Sequence, residues 1–177
     1  MNKPKNKIPL FKVFMSPTAK DRVGEVLDSG YIGQGSKVEI FEDQLKDYLW
    51  NKNLFTTNSG TSALHLALHL LKKPNNDYLD DEYQGLIFTN PNWPGIEDGD
   101  EVLATPMTCT ATNWPILANN LKIKWVDIDP STLNMDLDDL ARKITPKTKV
   151  IMLVHWGGYP NNLDKIPSSR VYFLMVF

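Results

Sequence analysis

From Glu101 to Val154 the chain alternates between short apolar runs and amphipathic stretches. Glu101–Thr105 reads as a strand, Cys109–Leu117 as a helix with Pro115 inside it, and Lys122–Asp127 as a second strand. Asp136–Ile144 reads as a helix capped by Asp136, with Leu137, Leu140, Ala141 and Ile144 on one face. Lys149–Val154 is a third, strongly apolar strand. Strands separated by helical crossovers cannot pair as hairpins, so this order restricts the chain to an α/β domain with a mainly parallel sheet and flanking helices. Uninterrupted apolar strands fit a sheet covered on both faces.

Upstream, Pro4 and Pro9 punctuate a polar arm, and Ser16-Pro17 opens a helix reaching Leu27. Gly30, Gly33 and Gly35 interrupt regular structure. Ser36-x-x-Glu39 is a capping-box pattern, and Val38, Phe41, Leu45 and Tyr48 follow at helical spacing, with Trp50 near the end. Leu54-Phe55 reads as a short strand and Ala63–Leu71 as a helix. Residues 72–99 are rich in Pro, Asn, Asp and Gly, with a possible strand at Leu86–Thr89. So long a polar stretch inside a compact domain suggests an insertion or a functional lid, and the insertion, placed at 74–98, is the favoured reading.

Composition excludes several classes. The net charge of −2 offers no basic field for nucleic acid or an anionic membrane, and no apolar run spans a bilayer. One cysteine rules out an intrachain disulfide and a Cys-based zinc site. His65 and His69 share a helix face, but no Glu or Cys completes a ligand set, so packing is favoured and no metal is expected. No signal peptide is visible, which makes the cytoplasm the expected compartment.

Sheets of this kind bind ligands at the carboxyl ends of their strands. The 56–62 turn, Thr105–Asn113 and Val154–Gly158 converge there, with Asp127 and Asp129 at another strand end, although Asp129-Pro130 also reads as a simple turn. Thr56-Thr57-Asn58-Ser59-Gly60-Thr61-Ser62 leads straight into a helix. Its Asn and Ser suit an ordinary N-cap, while Gly60 with the hydroxyls of Thr61 and Ser62 suits a phosphate cradle at a helix N-terminus. No Walker A sequence, complete G-x-G-x-x-G fingerprint or G-x-S-x-G elbow is present. Gly33-Gln34-Gly35 starts like the dinucleotide fingerprint but has Val38 in place of the third glycine, so a Rossmann-like nucleotide-sugar binder is disfavoured. A phosphate cradle without nucleotide signatures suits a phosphorylated cofactor such as pyridoxal phosphate.

Thr57-Asn58-Ser59-Gly60-Thr61-Ser62-Ala63-Leu64 resembles the phosphate-binding motif of the DegT/DnrJ/StrS family of pyridoxal-phosphate-dependent sugar aminotransferases. Other segments match in order and spacing. They include Gly30–Gly35, Gly99–Val102, Thr105–Asn113, Trp125–Asp129, Leu133–Asp136, Ile144–Lys149 and Val154–Pro160. The resemblance implies a fold type I pyridoxal-phosphate transferase architecture, here a partial large domain, and a homodimer with shared active sites. It implies cofactor-phosphate contacts from Gly60, Thr61 and Ser62, a position over the pyridine ring for Cys109, and a substrate-facing loop at Tyr31, Ile32 and Gly33. Many members have Phe or Trp where this chain has Cys109. It also implies a nucleotide-linked keto sugar as substrate and glutamate as amino donor.

The match runs to Ile166, so residues 1–166 are read as the N-terminal part of such a domain. Residues 167–177 are read as a non-matching apolar tail, the end of a truncated or frameshifted coding sequence. No lysine of this chain stands in the family's Schiff-base motif, and the acid that pairs the pyridinium nitrogen is assigned to a later segment, so no catalytic residue is named. The alternative expectation is a non-catalytic fragment or binding module that pairs with a full-length homologue.

Overall fold

The computed structural model describes residues 12–72, 95–166 and 172–176. It divides into two compact units, one ending at Thr56 and the other beginning at Thr57.

The first unit contains α1 (Ala19–Ser29) and α2 (Ser36–Leu49). Pro17 lies just outside α1, in a turn closed by the Ala19 N–H donating to the Ser16 carbonyl at 3.0 Å. Gly30 ends α1 at φ 74°, a left-handed position that costs glycine little, and its N–H donates to Leu27 O. The capping box expected at Ser36 does not form. Ser36 already lies inside α2, Gly35 is the N-cap, and the N–H groups of Val38 and Glu39 donate to the Gly35 carbonyl. Leu54-Phe55 is not a strand, since no neighbouring strand among the described residues pairs with it. The Glu42 carboxylate instead gathers this segment, accepting from the Thr56 N–H (2.6 Å) and the Thr56 hydroxyl (2.8 Å).

The second unit is built on four parallel strands, β1 (Glu101–Ala104), β2 (Lys122–Trp125), β3 (Thr148–Val154) and β4 (Tyr172–Val176), in the order β2-β1-β3-β4. Its helices are α3 (Gly60–Leu71), α4 (Thr110–Ala118) and α5 (Leu137–Lys143). Alternate side chains of the sheet enter two separate cores. Val102, Ala104, Val150 and Met152 pack with Leu68 of α3 and Ile116 of α4, whereas Leu103, Ile151 and Leu153 pack with Val126, Met135 and Leu140 of α5. The sheet is therefore covered on both faces, as its apolar strands required. Within α5, Leu140 is buried but Ala141 is exposed, contrary to expectation. A seven-residue helix presents only a narrow stripe, here centred on Leu140.

The apolar tail contributes β4, in register with β3 from Val150↔Tyr172 to Val154↔Val176. A run such as Tyr-Phe-Leu-Met-Val has no periodicity that separates a strand from a loose tail, and the open edge of β3 supplies the hydrogen-bond partners that decide it. Most of the expected insertion lies outside the described residues, including the strand at Leu86–Thr89. At its end, Ile96 is buried, forms a parallel bridge with Lys72 and donates its N–H to Leu71 O at 2.8 Å.

Candidate functional site

The second unit carries a helix N-terminus with unpaired donors. Ser59 is the N-cap of α3, as its residue type suggested; its Oγ accepts from the Ser62 N–H at 3.1 Å. The Ser59 hydroxyl also donates to Ser62 Oγ at 3.0 Å, and the Thr57 hydroxyl donates to Ser59 O at 2.8 Å. Capping therefore uses the Ser62 N–H and leaves the N–H groups of Gly60 and Thr61 without a partner among the described residues. Apart from its chain neighbours and its own helix backbone, no atom of the described residues lies within 4 Å of where a Gly60 Cβ would stand, so the space over this backbone is open. The first turn of α3 holds no acidic side chain to neutralise the positive end of the helix dipole. This donor set fits a phosphate group.

A second helix starts at the same end of the sheet. Cys109 is the N-cap of α4, without a side-chain capping bond, and is exposed. The far ends of α3 and α4 are tied together. Asn119 Nδ2 donates to His65 O (3.2 Å), and Lys72 Nζ donates to Asn119 O (3.2 Å) while pairing with Asp98. Lys72 and Asn119 are the C-caps of the two helices, Asp98 lies just before β1, and the helices pack against each other, so they run side by side in the same sense. Since α4 begins just beyond β1, both N-termini lie at the carboxyl end of that strand. Thr105–Cys109 joins β1 to α4. Thr105 is buried, its hydroxyl accepts from the Met107 N–H (3.2 Å), and its carbonyl accepts from Asn113 Nδ2 (3.2 Å).

After β3 the chain turns through His155–Tyr159, with Gly157 and Gly158 at φ 60° and 82°. Two buried asparagines hold the turn. Asn134 donates to Tyr159 O and accepts from the Trp156 N–H, both at 3.0 Å. Asn161 donates from Nδ2 to Val154 O (2.8 Å) and from its backbone N–H to His155 Nδ1 (3.0 Å). With Nδ1 accepting, a neutral His155 carries its proton on Nε2. At the end of β2, the Asp127 N–H donates to Asp139 Oδ2 at 2.9 Å. That bond, followed by Lys143 and Arg142 at 2.6 and 3.2 Å, lowers the Asp139 carboxyl to about 2. Asp129 is a turn residue. Its Oδ1 accepts from the Ser131 hydroxyl (2.6 Å) and N–H (2.8 Å), which lower its pKa.

Of the residues singled out in the sequence, Gly60, Thr61, Ser62 and Cys109 thus belong to one unit, at the N-termini of neighbouring helices. Tyr31, Ile32 and Gly33 belong to the other, in the exposed turn between α1 and α2, where a pocket of about 490 Å³ includes Tyr31, Gly33 and Lys37. Among the described residues no cluster of three or more His, Cys, Asp and Glu could hold a metal, and no helix is long and apolar enough to cross a membrane. Sequence reasoning did not single out Asn134, Asn161 or Asp139. Their asparagine and aspartate types signal only a buried or capping polar group, and the partners lie up to 25 residues away.

The model of the DegT/DnrJ/EryC1/StrS aminotransferase family matches residues 15–79 and 87–169. The chain belongs to this family. It is 40% identical to the sugar aminotransferase CalS13 from Micromonospora echinospora, with a TM-score of 0.75 over 96% of this chain and 42% of that one. It is 31% identical to the GDP-perosamine synthase of Escherichia coli O157:H7 over 95% of this chain and 41% of that protein. A third likeness is to the E. coli GDP-4-keto-6-deoxy-D-mannose-3-dehydratase with bound hydrated PLP. There the identity is 26% and the TM-score 0.78, over 97% of this chain and 41% of that one. The chain thus spans about two fifths of each of these family members. Pyridoxal-phosphate-dependent proteins of the family share its fold, and α3 lies within the matched residues.

Proposed function

We propose that this chain carries the cofactor-phosphate end of a pyridoxal-phosphate-dependent aminotransferase acting on a nucleotide-linked keto sugar in amino-sugar biosynthesis. The carrying observation is the N-terminus of α3. Its Gly60 and Thr61 N–H groups are unpaired among the described residues, the space over Gly60 is open, and no acid opposes an anion there. When bound, the cofactor supplies the electron sink for moving an amino group. The chain's own residues would bind and orient it. Gly60 and Thr61 would hold the phosphate, Ser62 would complete the first turn through Ser59, and Cys109 would contact the ring as a soft, polarisable group. Tyr31, Ile32 and Gly33 would face the sugar. Glutamate as amino donor, a homodimeric assembly and a cytoplasmic location complete the reading. The names of the perosamine synthase and of the keto-deoxymannose dehydratase support a nucleotide-linked sugar as substrate.

Thermal unfolding of the chain with pyridoxal phosphate, pyridoxal and inorganic phosphate tests this. A ligand of the native state raises stability by about 2.7 kcal/mol at a hundredfold excess over its Kd. Pyridoxal phosphate should raise Tm progressively, phosphate less, and pyridoxal least. A cooperative transition unmoved by pyridoxal phosphate refutes the cofactor reading.

A second reading, a binding module that pairs with a full-length homologue, is favoured by the first unit. None of its described helical residues is buried, and Tyr48 and Trp50 are 80% and 95% exposed. Co-elution of the chain with such a homologue, in the absence of cofactor binding, would select it.

A further inference from the structure

The turn from Thr105 to Cys109 is held mainly by local contacts. The Met107 N–H donates to the Thr105 hydroxyl, the Thr108 N–H to Pro106 O at 3.0 Å, and the hydroxyls of Thr108 and Thr112 lie 2.9 Å apart. One side chain reaches further. Asn113, in the first turn of α4, returns across eight residues to donate from Nδ2 to the carbonyl of Thr105 at the end of β1. Its Oδ1 is sealed from solvent and has no donor among the described residues. Buried polar atoms are nearly always paired, yet the amide serves the Thr105 carbonyl only by leaving its own Oδ1 stranded, and an apolar side chain would exchange that stranded acceptor for the Thr105 carbonyl, one for one. Stability alone therefore gives no reason for an asparagine at this place, whereas fixing the turn does.

We propose that Asn113 is a positioning residue for Cys109. By tying the first turn of α4 to the end of β1, it sets the turn that carries the thiol, and so how the thiol meets a cofactor ring whose phosphate is held at α3. The second half rests on the pyridoxal-phosphate reading above; the first half concerns the cofactor-free chain alone.

Cys109 is the single cysteine of the chain and is exposed, so its reaction with a disulfide reagent such as DTNB reports the turn directly. Three proteins are compared, the natural chain, Asn113→Leu and Asn113→Ala. Both variants remove the amide donor together with its stranded Oδ1 and leave the Thr105 carbonyl unpaired in exchange; leucine keeps the side-chain bulk and alanine removes it. Without cofactor, both variants should react about three- to tenfold faster than the natural chain, the range expected for losing one restraining hydrogen bond. Pyridoxal phosphate should protect Cys109 in the natural chain. In the variants half-protection should need at least about threefold more pyridoxal phosphate, on the same scale. Competition by inorganic phosphate, read from its effect on Tm, should be unchanged. A merely structural role would lower Tm in step with protection, whereas Asn113→Leu is expected to keep its Tm and still lose protection. Unchanged thiol reactivity in both folded variants overturns the proposal, as does a leucine variant protected like the natural chain. Faster thiol reaction in the variants with no protection of the natural chain overturns the cofactor reading and leaves the positioning of the turn established.

Discussion

Replacing Asp139 by asparagine separates the charge of a buried carboxylate from its shape. Asp139 is 8% exposed and receives the Asp127 N–H, Lys143 and Arg142 at 2.9, 2.6 and 3.2 Å. Its carboxyl is lowered from 3.8 to about 2, first by the Asp127 backbone bond and then by Lys143. Each pH unit of such a shift corresponds to about 1.4 kcal/mol. The full displacement is therefore worth about 2.5 kcal/mol, which the solvent exposure of Arg142 and Lys143 reduces to about 1.5–2 kcal/mol. The pKa is depressed in the folded state, so this stability is present above the unfolded value near 4 and is lost as pH falls through about 2. Asparagine mimics the protonated acid. At pH 7, Asp139→Asn should lower stability by that amount, a fall in Tm of about 3–8 °C for a chain of this size. The gap should close as the pH approaches 2. Urea unfolding of both proteins across this range measures it, and other carboxylates that titrate there cancel in the difference. A gap that stays constant with pH, or is absent at pH 7, refutes the argument that the charge anchors the end of β2.

Two further outcomes follow from the same geometry. Asn134→Ala removes the partners of the Tyr159 carbonyl and the Trp156 N–H in a part-buried turn, so the urea midpoint should fall by an amount equivalent to about 1–2 kcal/mol; an unchanged midpoint would mean that water replaces both bonds. Glu42 is held below its ordinary value of 4.5, chiefly by the Thr56 N–H and then its hydroxyl, so the anchor is present above that value and is lost as pH falls through the lowered one. Glu42→Gln should reduce the hydrogen-exchange protection of the Thr56 amide at neutral pH to that of the acidified natural chain, and protection equal to the natural chain would show that the charge is not needed.

Several local features were legible. The Ser59 and Asp136 caps act through neighbours two or three residues away, and the apolar strands carry their burial in their composition. The same limits explain the misses. Ser36 has the residues of a capping box, but the helix starts one residue earlier than that box requires because Gly35 takes the cap position. Leu54-Phe55 has strand-like residues and no strand to pair with among those described. The capped, open start of α3 was legible because its cap and its donors belong to one short segment. The contacts of Asn113, Asn134, Asn161 and Asp139 were not, since each acts on backbone atoms of another segment.

The sequence by itself determined the alternation of strands and helices, the two-faced burial of the sheet and the capped start of α3. These follow from periodicity, capping chemistry and backbone donors within a few residues. Only the tertiary structure decided that Tyr172–Val176 joins the sheet and that α3 and α4 present their N-termini at one end. It also decided that a carboxylate twelve residues away holds the end of β2. Those outcomes depend on which hydrogen-bonding groups meet across space, and residues distant along the chain meet only after it has folded.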